Sequence, residues 1–187
     1  GRDFYMQPRF DPAGRRLAWI AWDHPQMPWD GTRLFVAEFD TAVAERPRLA
    51  EPIEVAGGTD VSVQQPQFAS DGKALFYLSD EDGFGALYRY DFATAKRTKL
   101  TENGVEYGAA CWVQGLRTYA ALPDGKSLIV KRTDRGFESL VRIDLDTGTI
   151  TPVEFAERYA EFLQVAAVPP HAESVSNHFF FNDTATT

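Results

Sequence analysis

The stretch Ser70-Asp71-Gly72-Lys73-Ala74-Leu75-Phe76-Tyr77, continued by Leu87-Tyr88-Arg89-Tyr90-Asp91, decides how this chain folds. It sets a tight turn before an apolar strand, then a second strand with an acidic stop. The phrase returns at Asp124-Gly125-Lys126-Ser127-Leu128-Ile129-Val130, followed by Leu140-Val141-Arg142-Ile143-Asp144. A looser copy opens the chain at Pro12-Ala13-Gly14-Arg15-Arg16-Leu17-Ala18-Trp19, followed by Leu34-Phe35-Val36-Ala37-Glu38. Leu34, Leu87 and Leu140 are 53 residues apart at each step. The acids Glu38, Asp91 and Asp144 keep that step, as do Thr41, Thr94 and Thr147. The turn glycines Gly14, Gly72 and Gly125 are 58 and then 53 apart, so five additional residues lie between Gly14 and Leu34. A period of about 50 residues built from short strands is the signature of a four-stranded propeller blade. The expected class is all-β: a partial β-propeller of about three four-stranded blades plus the start of a fourth.

The blades should fall at about residues 4–56, 61–101 and 107–153, with a fourth opening over 159–168. In the first, residues 4–10 form the inner strand, and Pro12 and Gly14 suit the second and fourth positions of a type I turn. Residues 17–22 are a continuous apolar run, as expected of a strand covered on both sides by neighbouring sheets. The insertion at 23–31 carries Pro25 and Pro28, which forbid a central strand there. Strands over 34–39 and 53–56 complete the blade. The second blade repeats the pattern with Pro66-Gln67-Phe68, then strands at 75–78, 87–92 and 97–100. The third has strands at 118–122, 128–131, 140–145 and 149–153, with a loop at 133–137. Tyr119 and Ala121 replace the Pro-x-Phe of the other inner strands. Residues 155–165 are the one helical competitor, and a weak one. Residues 178–187 continue no repeat and resemble translated sequencing-adapter DNA, so the propeller is expected over 1–177 and a non-native tail beyond it. Three blades and a remnant cannot close a ring, which needs about 4 to 8, so the first and last sheets should expose apolar faces.

Composition narrows the function classes. Of 187 residues, 44% are hydrophobic and 13% aromatic, enough for a sizeable core. A net charge of −8 argues against nucleic acid or an anionic membrane as partner, since both select basic patches. No apolar run approaches the ~20 residues of a membrane span. The single cysteine, Cys111, excludes an internal disulfide, and its apolar neighbours mark it as a buried small hydrophobe rather than a nucleophile. The chain begins at Gly1 without a methionine, so the lack of a signal peptide says little about compartment, with the cytoplasm favoured. No cofactor and no metal are expected. Asp23, His24 and Asp30 form too loose a set for a structural metal site, and Asp80-Glu81-Asp82-Gly83 lacks the D-x-D-x-D-G order of a calcium loop.

The insertion is the most specific segment. Phe10-Asp11-Pro12-Ala13-Gly14 with Leu17-Ala18-Trp19 resembles the F-S-P-D-G…L-A-Y blade signature of TolB-like proteins and prolyl oligopeptidase-family propellers. Trp22-Asp23-His24-Pro25-Gln26-Met27-Pro28-Trp29-Asp30-Gly31-Thr32 is similar to the W-x-x-H-P-x-M-P-W-D-G-T segment of bacterial acylaminoacyl-peptidase-like members of that family, with one spacer residue fewer after the tryptophan. The stretch 107–119, Tyr-Gly-Ala-Ala-Cys-Trp-Val-Gln-Gly-Leu-Arg-Thr-Tyr, is similar to a later E-F-G-x-P-x-W-x-x-G-x-x-x-Y segment, with Ala110 in place of its proline. The resemblance covers roughly residues 3 to 168. It implies the N-terminal propeller of a serine peptidase, which caps a C-terminal α/β-hydrolase domain, gates the access of peptide substrates, and excludes large folded ones. That catalytic domain, its implied partner, is not in this sequence. No serine here has glycine at both −2 and +2, as a nucleophile elbow requires, so no catalytic residue is expected. A TolB-like propeller acting as a protein-binding module is the alternative.

The candidates for a substrate-access or domain-interface site are Asp23, His24, Trp29 and Asp30, because long loops between blade strands are where function is grafted. Asp23, His24 and Asp30 also suit a loop-fixing hydrogen-bond role. Trp19 and Trp22, on a strand, are expected to pack between blades. Trp29 either packs there or lines the cavity facing a peptidase domain.

Overall fold

The alternation in these strands has two apolar sides where a sheet is sandwiched between two others. The computed structural model describes residues 1–40, 47–154, 165–167 and 179–180. Three antiparallel meanders follow one another. The first contains β1 (Phe4–Phe10), β2 (Arg16–Trp22) and β3 (Arg33–Asp40), with β4 (Arg48–Leu49) and β5 (Ile53–Gly57) both pairing with β3. The second contains β6 (Val63–Phe68), β7 (Ala74–Ser79), β8 (Ala86–Asp91) and β9 (Lys96–Lys99). The third contains β10 (Tyr119–Ala121), β11 (Ser127–Asp134), β12 (Phe137–Asp144) and β13 (Ile150–Pro152). The chain is an all-β partial propeller, with three blades among the described residues.

Strand β7 shows why the repeat folds this way. All six of its residues are buried, and successive side chains serve opposite interfaces. Leu75 and Tyr77 join Met6, Ile20, Leu34 and Val36 in the core between the first and second sheets. Phe76 and Leu78 join Tyr107, Leu128, Val130 and Ile143 between the second and third. Each fully buried side chain of this size contributes about 1.5–3 kcal/mol, so the blades are held mainly by these two apolar layers. Cys111 lies in the first layer, and burial pushes its thiol pKa up, away from reactivity. Trp22 packs against that layer and stacks on Phe4 at 5.2 Å. Trp19 points the other way and stacks on Phe35 at 5.8 Å, so it covers the outer face of the first sheet rather than a blade–blade interface. Tyr5 and Phe10 on that sheet are 55% and 53% exposed, the apolar surface expected of an end blade.

The turns repeat as closely as the strands. Gly14, Gly72 and Gly125 have φ of 67°, 69° and 66°, a left-handed conformation that favours glycine. Each donates its N–H to the carbonyl three residues back, on Asp11, Ala69 and Leu122, at 2.9, 2.9 and 3.0 Å. The acid–threonine pairs also have a structural role. Asp91 Oδ1 accepts the Thr94 N–H at 3.0 Å and hydroxyl at 2.8 Å, and Asp144 does the same for Thr147 at 2.8 and 2.9 Å. In the first blade Glu38 pairs with Arg16 at 2.9 Å, and Thr41 lies outside the described residues.

The inner strands tie blade to blade through side-chain amides. Gln7 and Gln65 stand at register shifts with φ of 52° and 57°. The Gln7 side-chain carbonyl accepts the Gln65 N–H at 2.6 Å. Gln65 repeats this toward the Thr118 N–H at 2.8 Å. Tyr119 then donates its hydroxyl to the Gln65 backbone carbonyl at 2.5 Å.

Two local expectations change. The outer strand of the first blade is split into β4 and β5, with a register shift on β3 between Leu34 and Phe35. The loop expected at 133–137 is a hairpin whose strands pair down to Asp134 and Phe137. Its charges suggest a loop, yet they pair along the ladder, Lys131 with Glu138 at 2.6 Å and Arg132 with Asp134 at 3.1 Å. Arg135 and Gly136, with φ of 49° and 86°, make the two-residue turn that matches strand twist. Past the third blade, β14 (Ala166–Ala167) pairs with β15 (Phe179–Phe180), whose residues fall in the stretch that continues no repeat. The helical competitor and the fourth-blade strand lie almost wholly outside the described residues.

Candidate functional site

Because the strands alternate in direction, the loops after the second and fourth strands of each blade share one end of the molecule. The insertion (23–32), the loop at 80–85 and the long segment 100–118 therefore crowd one face. This face holds the candidates.

The insertion is fastened from its C-terminal end. Thr32 is 1% exposed, and its hydroxyl both donates to the Val63 carbonyl at 2.7 Å and accepts the Val63 N–H at 2.6 Å. Gly31 leaves no room for a side chain, since a Cβ would sit 2.1 Å from the Thr59 carbonyl oxygen. Ser62 donates its hydroxyl to the Pro28 carbonyl at 2.8 Å. The loop is thus strapped to the start of the second blade. Gly31, Thr32 and Ser62 are not among the sequence candidates; the Asp-Gly-Thr end of the motif is the available signal.

Asp23, His24 and Asp30 hold the loop to itself and to the N-terminal segment. Asp23 accepts hydrogen bonds from the Arg2 guanidinium at 2.6 Å and the Asp3 N–H at 3.1 Å, and the Arg2 bond lowers its pKa. The His24 backbone N–H donates to Asp3 Oδ2 at 3.0 Å, while its exposed ring bonds to no described residue. Asp30 Oδ2 accepts the Met27 N–H at 3.2 Å. Among the described residues no three His, Cys, Asp or Glu side chains gather as metal ligands.

Trp29 is placed differently. It lines a pocket of about 290 Å³ with Ser62, Gln64, Asp80 and Glu106, and its ring lies 4.5 Å from that of Trp112. Trp112 is 71% exposed, so the pair forms an aromatic shelf on this face. The insertion and the stretch at 107–119, the two segments singled out in the sequence, therefore meet through their tryptophans. Trp112 is not a sequence candidate, because nothing in the spacing joins it to Trp29.

The pocket is fixed by hydrogen bonds. Glu106 accepts the Gly108 N–H at 2.7 Å and the Gly85 N–H at 3.1 Å, and Gln64 donates to the Ala109 carbonyl at 2.7 Å. Asp80 accepts the Ser62 N–H at 2.7 Å. Burial raises the Asp80 pKa, with Glu106 and Glu81 adding to the rise and the Ser62 N–H opposing it. The arrangement offers an apolar wall and polar anchors, which suits holding a chain segment rather than cleaving one. No described serine has a histidine base, and the Ser62 hydroxyl is committed to Pro28.

Comparisons with known proteins bear on the fold that carries this face. The scan against family models finds no match. A puromycin-hydrolyzing peptidase from Mycobacterium tuberculosis is 30% identical, with a TM-score of 0.79 over 89% of this chain and 24% of its own. A puromycin hydrolase structure is 29% identical with a TM-score of 0.79, covering 90% of this chain and 24% of its own. Dipeptidyl-peptidase 5 of Porphyromonas gingivalis is 29% identical over 107 residues, which are 57% of this chain and 14% of that protein. The chain thus spans about a quarter of the two peptidase structures and a smaller part of the curated relative. TolB of Acinetobacter baumannii, at 18% identity and a TM-score of 0.52, shares the fold alone. Matched along most of its length by these peptidases, and by TolB only in fold, the chain resembles a portion of the β-propeller of prolyl oligopeptidase-family peptidases.

Proposed function

We propose that this chain is the non-catalytic propeller portion of a serine peptidase, capping a C-terminal α/β-hydrolase domain and gating the access of peptide substrates to it. The face carrying the insertion is the one turned toward that domain. Asp23, His24 and Asp30 brace the insertion, and Trp29 with Trp112 presents the surface that a peptide or the catalytic domain meets. The observation that carries this reading is the contact of Trp29 with Trp112 beside a pocket, on the face where the first blade departs from the repeat. A loop that only braced itself would not need to hold an exposed aromatic shelf.

The test is Trp29→Ala in the full-length native protein that carries this chain. The expected result is a fall of about tenfold or more in kcat/KM on short peptides, ~1.4 kcal/mol of lost transition-state binding. Unchanged kcat/KM across peptides of several lengths would confine the loop to a structural role.

A further inference from the structure

The inner strands line a second pocket, of about 120 Å³, whose walls include Arg9, Gln65, Gln67, Arg117 and Tyr119. Arg9 comes from β1 and Arg117 from just before β10, so two blades each deliver a guanidinium to one concave site. The repeat does not explain them. The positions equivalent to Arg9 are Gln67 and Ala120, and those equivalent to Arg117 are Gln64 and Met6. Among the described residues neither arginine has an acidic partner, and the Arg9 guanidinium donates to the neighbouring Pro8 carbonyl at 3.0 Å. The Gln67 side chain bonds to no described residue. The walls behind them are set, because Gln65 is tied to Thr118 at 2.8 Å and Tyr119 to Gln65 at 2.5 Å. Burial lowers the Arg9 pKa, and the charge of Arg117 adds to that.

The chain carries a net charge of −8, yet no described acid neutralises this pair. Two partly buried like charges facing one cavity are costly until an anion joins them. A guanidinium fork matches the two oxygens of a carboxylate, and the Gln67 amide adds a further donor. We propose that Arg9, Arg117 and Gln67 form a binding site on the inner strands for the carboxylate of a peptide. That the carboxylate belongs to a peptide rests on the gating reading, while the site itself consists of this chain's own residues.

The test is calorimetric titration of this chain, at constant ionic strength, with acetyl-Ala-Ala, its C-terminal amide, and acetyl-Glu-Ala-amide. At least one acid peptide is expected to bind about tenfold or more tightly than the uncharged amide, and which one does so tells a terminal carboxylate from a side-chain one. Arg9→Gln and Arg117→Gln should each weaken that binding about tenfold or more, with Arg117→Lys intermediate because it keeps the charge without the fork. Equal binding of the acids and the amide, undiminished affinity in either Gln variant, or inorganic phosphate binding as tightly as the peptides would overturn the proposal. The comparison of acid with amide uses the unaltered chain, so it decides the matter even where a variant does not fold. A failure here leaves the gating reading intact, since Trp29→Ala tests that separately.

Discussion

Gln65 joins all three described blades at the inner strands. Its N–H reaches Gln7, its side chain Thr118, and its carbonyl Tyr119. Gln65→Ala leaves the buried Thr118 N–H without its acceptor, so a loss of ~1–3 kcal/mol is expected in urea denaturation. An unshifted midpoint would show that the clasp is not stabilising. Asp80 gives a pH test. Its folded pKa is raised, so its contribution is favourable below the ordinary carboxylate pKa and is lost as pH rises through the folded value. Asp80→Asn keeps an acceptor for the Ser62 N–H without the charge. The variant should therefore melt higher than the parent at pH 7, and the gap should close as pH falls below the ordinary carboxylate range. A gap independent of pH would exclude titration of Asp80 as its cause. Little of this is legible in the sequence. Gln-Pro recurs at 7–8 and 65–66, but the third copy is Thr118-Tyr119, which hides the clasp. Asp80 takes its environment from Ser62 and Glu106, residues far from it along the chain.

Among the elements, the turn and first two long strands of each blade are the most legible, because alternation and the left-handed glycine are local properties. The β11–β12 hairpin is not. Its charged residues match a loop in composition, and only the ladder shows Lys131 and Glu138 as cross-strand partners. The insertion is visible as five added residues, but its fastening is not, since Thr32 and Gly31 act on the backbone of residues 59–63. Gly31→Ala tests that fastening. Its methyl would meet a backbone oxygen that cannot swing aside, so a destabilisation of about 1–3 kcal/mol is expected by thermal unfolding. A variant as stable as the parent would mean that the insertion is free to shift from the second blade.

At the scale of the molecule, two apolar layers hold three sheets in series, and one face collects the parts that break the repeat. The fold class is legible because a 53-residue step carries the same strand order through three copies. The resemblance to peptidase propellers is legible in the interruption, where the repeat alone would not separate them from TolB. The meeting of Trp29 with Trp112 is not, because it depends on how two loops from different blades converge. The central claim is that this propeller gates a serine hydrolase. The most direct measurement is labelling of the native polypeptide that carries this chain with a fluorophosphonate probe, followed by mapping of the modified residue. The account predicts one labelled serine, C-terminal to this propeller and within a Gly-x-Ser-x-Gly turn. A native polypeptide that takes up no label, its chain continuing only as further blades, would contradict it.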